Sequence, residues 1–185
     1  MNEVLQTIAR RRSVRQFEPR QIGDEELAAI LEAGLQAPSG HDDQSWYFVA
    51  VQNRQRIDEL SEGTKAGMRL APVDWITNLG KAEKYHIFYQ APAVILVATR
   101  KDAVSPVADA CAAIENMLLA AESLGVGSCW MGFVAFYFTD DESHRRFDIP
   151  DGYQVHYAVA LGYKPEGLSL TPPQRKREKY YHVIK

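Results

Sequence analysis

The sequence predicts an α+β fold, a mixed β-sheet flanked by helices, in one domain spanning residues 1–185. Three observations predict it. Helical and strand patterns are interspersed along the chain, yet they alternate too irregularly for a doubly wound sheet. Ala93-Val94-Ile95-Leu96-Val97-Ala98 is a short continuous apolar run, the pattern of a strand buried on both faces. From Pro106 onward, Val107, Ala110, Cys111, Ile114, Met117, Leu118, Ala121 and Leu124 recur at helical spacing with few polar residues, the pattern of a central helix.

The other elements follow in order. Val4, Leu5, Ile8 and Ala9 have the spacing of a short helix running into Arg10-Arg11-Arg12. Asp24 reads as the cap of a second helix carrying Leu27, Ile30, Leu31, Gly34 and Leu35, stopped by Ala37-Pro38-Ser39-Gly40. Trp46 to Val51 is aromatic and branched, hence a strand, and Asn53 to about Leu60 reads as helical. From Glu62 to Tyr89 no single period holds, with Gly63, Gly67, Pro72 and Gly80 as interruptions. Short helices and loops able to cover a site are expected there. Gly125-Val126-Gly127 ends the central helix and leads to a strand near Ser128-Cys129-Trp130-Met131. Asp140 to Phe147 suits a short helix, and Tyr153 to Leu161 a strand, alternating at Val155, Tyr157, Val159 and Leu161. The tail from Thr171 opens on Pro172-Pro173 and is basic.

Composition narrows the function. An apolar share of 46% excludes a disordered chain, and a net charge of −3 argues against a nucleic-acid partner. Cys111 and Cys129 cannot build a disulfide framework or a multi-cysteine zinc site, and read as small apolar residues in a reducing compartment. The amino terminus lacks the charged start and apolar stretch of a signal peptide. The longest strongly apolar run, Ala91 to Thr99, falls far short of the ~20 residues of a membrane span. A cytoplasmic protein without membrane contacts is expected.

Nucleotide-cradling signatures are absent. No Gly-x-x-x-x-Gly-Lys occurs, and Gly125, Gly127 and Gly132 miss the dinucleotide spacing and follow a helix instead of a strand. Ser39, Ser123 and Ser128 lie in no nucleophile elbow, and the five histidines show no paired spacing. A metal reading of His41, Asp42 and Asp43 is disfavoured, because adjacent residues rarely face one ion; a ligand-binding turn fits better. Arg10-Arg11-Arg12-Ser13-Val14-Arg15 is either a solvated helix end or an anion pocket. Arg175-Lys176-Arg177, distant in sequence, is either a solvated tail or the other half of that pocket.

Several segments together carry a resemblance. Arg11-Arg12-Ser13-Val14-Arg15-Gln16-Phe17 resembles the opening motif of the nitroreductase family of flavin enzymes. Ala37-Pro38-Ser39-Gly40 with Gln44 and Trp46-Tyr47-Phe48-Val49 is similar to its second motif. Ala91 to Leu96, Leu124 to Gly132, and Ala160-Leu161-Gly162-Tyr163 with the basic tail complete the series in order. Five motifs in sequence are far more specific than any one.

The resemblance implies an intertwined homodimer binding FMN at the subunit interface. Arg11, Arg12, Ser13 and Arg15 would hold the phosphate, ribityl chain and pyrimidine edge, with Arg175 and Arg177 completing the phosphate grip. Pro38, Ser39 and Gly40, with Asp42 and Gln44 in the same motif, would line the ring from the partner subunit. Backbone N–H groups at Met131 and Gly132 would face the hydride-accepting nitrogen. The implied activity takes hydride from NADH or NADPH and reduces a flat acceptor, a nitroaromatic or quinone, by a ping-pong route needing no catalytic side chain and no metal. A non-catalytic flavin-binding module and a dehalogenating flavin enzyme are the alternatives. Two positions depart from the family pattern: Asp42 where Asn is common, and Ser45 where Pro precedes the Trp.

Overall fold

The structure, a computed structural model, describes residues 1–175 and 182–184. Four strands form one sheet in the order β1-β2-β4-β3: β1 Trp46–Val51, β2 Ala93–Arg100, β3 Val126–Met131 and β4 Tyr153–Tyr163. All three strand pairings are antiparallel. The parallel component is the isolated bridge between Ser13 and Ser128, where Val14 N–H donates to the Ser128 carbonyl at 2.8 Å. That bridge lays the arginine segment along the β3 edge.

β2 is central and buried on both faces, as its unbroken apolar run dictates. Ala93, Ile95 and Val97 face one layer, with Ile30 of α2 (Asp24–Leu35) and Ile114 and Met117 of α5 (Pro106–Ser123). Val94, Leu96 and Ala98 face the other, with Ile57, Leu60 and Met68 of α3 (Arg54–Met68), Phe88, and Val134. Each fully buried Ile, Leu or Phe contributes roughly 1.5–3 kcal/mol.

β4 departs from simple alternation. Val97 pairs with Tyr157 and Ala98 with Val155, leaving His156 as a bulge residue. The extra residue reverses which face each side chain takes. Val155 therefore joins Ala158 and Ala160 in the α3 layer, while Tyr157, Val159 and Leu161 turn to the α2/α5 layer.

Two other expectations need correction. The second helix is capped by Gly23, not Asp24: the Glu26 carboxylate accepts the Gly23 N–H at 2.8 Å, and Asp24 is the first helical residue. Neither Gly63 nor Gly67 interrupts the chain; α3 passes through both and ends at Met68. Their missing side chains serve packing. A Cβ on Gly67 would lie 2.1 Å from the Phe136 carbonyl oxygen, and one on Gly63 would lie 2.2 Å from the Tyr137 ring. The irregular segment beyond contains α4 (Asp74–Lys81). The remaining helices are α1 (Glu3–Arg10), capped by Asn2 Oδ1 on Leu5 N–H, and α6 (Asp141–Arg146), closed by an Asp140/Ser143 capping box.

Candidate anion and ring-binding site

α1 ends at Arg10, and the chain then turns along β3, carrying Arg11, Arg12, Ser13 and Arg15 past its edge. After β4, the carboxy-terminal segment returns to the same place. A cleft of about 390 Å³ is lined by Arg11, Arg12, Ser13, Arg15, Leu170, Thr171, Pro173 and Arg175. The two basic stretches thus converge as far as Arg175; Lys176 and Arg177 lie outside the described residues.

The arginines are held by their own chain before any ligand arrives. Arg12 Nη1 donates to the carbonyls of Ala9 (2.8 Å) and Arg11 (2.7 Å), covering acceptors left over at the end of α1. Its Nε is buried and, among the described residues, has no partner. A buried guanidinium donor without an acceptor fits an anionic ligand. Arg11 Nε lies 3.6 Å from the Glu115 carboxylate of α5. Arg15 stands over the Tyr89 ring at 5.9 Å, which places a cation beside Tyr85 and Cys129. Burial nonetheless raises the Cys129 thiol above its ordinary pKa, against the pull of Arg15 and Arg11. A reactive thiolate is therefore disfavoured at Cys129.

Met131, buried at the end of β3, and Gly132, exposed, lie on the same edge. Among the described residues, a Cβ added at Gly132 would meet nothing within 4 Å, so they leave the space over this backbone open. Phe133 follows at once and packs on Trp75 of α4, ring centroids 5.9 Å apart. Trp75 is exposed, so the irregular segment supplies an aromatic wall beside Gly132.

Pro38, Ser39, Gly40, Asp42 and Gln44 do not join this cleft in the same protomer. They precede β1, at the opposite edge of the sheet from β3, with β2 and β4 between. Their loop is strained: His41 (φ 56°), Asp42 (φ 55°) and Gln44 (φ 45°) all take the left-handed conformation. Ser39 Oγ accepts Gln44 N–H at 2.9 Å, and the Asp42 carboxylate accepts the Gln44 side-chain amide at 3.1 Å. Asp109, in the first turn of α5, accepts Gly40 N–H (3.0 Å), Ser45 Oγ (2.7 Å) and Ser105 Oγ (2.9 Å). Burial pushes the Asp109 carboxyl up, but these three donors outweigh it and leave its pKa below the ordinary value. The sequence signal for Asp109 was its place in the first turn of the central helix, three residues after Pro106; Glu115 and Glu122 are that helix's other carboxylates. Leu170, Thr171 and Pro173 had no such signal.

Comparison with known proteins agrees with this geometry. Residues 8–163 match the Nitroreductase family. The chain superposes along 100% of its length on 100% of a nitroreductase with bound FMN from Bacteroides fragilis NCTC 9343, at 37% identity and a TM-score of 0.92. A nitroreductase with bound FMN from Desulfitobacterium hafniense DCB-2 matches equally completely, at 29% identity and a TM-score of 0.89. An FMN reductase (NADPH) from Bacillus subtilis is 26% identical over 192 residues, covering 98% of this chain and 74% of that protein. With its motifs in order, its sheet and helices superposed and its match spanning most of the sequence, the chain belongs to the nitroreductase family.

Proposed function

We propose that residues 1–185 form a single FMN-binding domain of an oxidoreductase that takes hydride from NADH or NADPH and delivers it to a flat acceptor. The observation that carries this reading is the arginine cleft, where four guanidinium groups from opposite ends of the chain meet around one space. A phosphate monoester carries about −1.5 to −2 charge at neutral pH, and several charge-assisted donors are needed to offset its desolvation. Arg11, Arg12, Ser13 and Arg175 hold the phosphate, and with them the Arg12 Nε that has no partner among the described residues. FMN supplies the hydride-accepting and hydride-donating ring.

The remaining residues orient that ring. Gly132 lies four residues beyond Ser128, which pairs with Ser13, so it stands roughly 13 Å along the strand from the phosphate cleft. Gly132, exposed just past the end of β3, offers its backbone N–H to that ring, with Met131 holding it in place through the β4 pairing. Arg15 favours the negative charge gained on reduction. Trp75 and Phe133 border the space where donor and acceptor stack in turn, a nitroaromatic or quinone following the nicotinamide in ping-pong order.

Pro38, Ser39, Gly40, Asp42 and Gln44 meet the ring from a second copy of the chain. Their distance from the arginine cleft within one protomer supports this arrangement. So does α1, whose apolar residues Val4, Leu5 and Ile8 all remain exposed beside a groove of about 530 Å³ between α1, α2 and α5. Among the described residues, no helix is long and apolar enough to cross a membrane.

Reconstitution tests the reading. Purified protein mixed with FMN should retain a yellow chromophore through gel filtration, bleach anaerobically with NADH or NADPH, and recover colour on adding a quinone. Retention of colour without bleaching by either nicotinamide leaves only a flavin carrier. Failure to retain FMN removes the reading altogether.

A further inference from the structure

Asp109 is 2% exposed and lies outside the arginine cleft, yet its carboxylate gathers donors from both ends of the Ser39–Ser45 loop. Oδ1 accepts Gly40 N–H at 3.0 Å and Ser105 Oγ at 2.9 Å, and Oδ2 accepts Ser45 Oγ at 2.7 Å. The loop between them holds three non-glycine residues in left-handed backbone, at φ 56°, 55° and 45°. Local preference opposes that shape, so something outside the loop must impose it. Gly40 is also pressed on the start of α5, since a Cβ there would lie 2.4 Å from Ser105 Oγ. Only a carboxylate provides enough acceptor sites for three donors; an amide has one oxygen and turns a donor toward another.

We infer that Asp109 is the positioning residue of the Pro38–Gln44 loop, fixing the geometry with which that loop meets the flavin ring. The inference rests on the FMN reading above. It also accounts for Ser45: where the common proline has no donor, this side chain donates to Asp109 from a fully buried position. The charge is favoured by its place in the first turn of a helix, where anions are stabilised. Asp109 touches neither hydride donor nor acceptor and acts through the loop alone.

The test compares full-length wild type with Asp109→Asn, Ser45→Ala and a stability control, Ile57→Val, a fully buried core residue of α3. Asp109→Asn is expected to weaken FMN binding at least tenfold and to change the visible circular dichroism of the FMN-saturated protein, with Ser45→Ala intermediate. Ile57→Val should lower the melting temperature while leaving both flavin readouts unchanged. If wild type binds FMN and both loop-network variants match it in affinity and dichroism, the positioning role is overturned and the FMN reading stands. If Asp109→Asn fails to fold, Ser45→Ala decides by the same two readouts. If wild type takes up no FMN, the underlying reading falls and this inference with it.

Discussion

His86 Nε2 lies 3.1 Å from the Asp58 carboxylate, while Nδ1 on the other side of the ring accepts the backbone N–H groups of Phe88 (3.1 Å) and Gln90 (3.3 Å). Those bonds require the neutral tautomer protonated on Nε2. The loop they hold is strained, with Tyr89 at φ 52° and Gln90 at φ 61°, and it carries the tyrosine beneath Arg15.

Burial pushes the His86 pKa below its ordinary 6.5, against the opposing pull of Asp58. The unfolded chain then binds more protons than the folded one, so this contribution is complete above about pH 6.5 and declines as pH falls below it. Replacing His86 by Gln should destabilise the protein most at pH 7.5, with the difference from wild type narrowing toward pH 5.5. Urea midpoints across that range check it; a constant difference would refute the linkage. His156, also lowered by burial, contributes a slope of the same sign in both proteins.

Removing the positive charge of Arg175 should weaken FMN selectively. Arg175 lines the cleft with Arg12, and a charge-assisted bond is worth about 1.5–3 kcal/mol, roughly ten- to hundredfold in affinity. Arg175→Ala should lose that much for FMN and almost nothing for riboflavin, which lacks the phosphate. Equal losses for both ligands would put Arg175 elsewhere.

Gly67→Ala should destabilise despite alanine's better helix propensity. Its Cβ would press on the Phe136 backbone, which cannot rotate away as a side chain can. Overpacking of this kind costs about 1–3 kcal/mol. At roughly 2–4 °C per kcal/mol for a chain of this size, thermal unfolding resolves it.

The second-copy arrangement predicts a two-chain particle by sedimentation. Val4, Leu5 and Ile8 are 63%, 50% and 49% exposed, an apolar face left uncovered by the described residues of its own protomer. A Leu5→Glu/Ile8→Glu double variant should shift the particle toward one chain and release FMN together. Monomers retaining tight FMN would contradict a ring pocket shared between copies.

The elements that follow from local chemistry were legible in the sequence. Period 3.6 gave the central helix with Pro106 at its start, continuous apolarity gave β2, and Trp46–Val51 formed a strand at those bounds. The arginine motif marked one wall of the cleft, since guanidinium groups are the residue type that grips an anion, but its solvated-end reading was separated from its pocket reading only by the fold. Glycine misled at Gly63 and Gly67, where a residue that reads as a break is instead a point of contact with Tyr137 and Phe136. The β4 alternation misled because one bulge at His156 reverses every face on one side of it.

By itself, then, the chain determined its elements, its α+β class and the residue types able to grip an anion, since each depends on neighbours a few positions apart. Only tertiary structure brought Arg175 to Arg12, kept the Pro38–Gln44 loop at the far edge of the sheet, and set Asp109 beneath that loop. Those pairings join residues scores of positions apart, and only chain closure around a common core can select them.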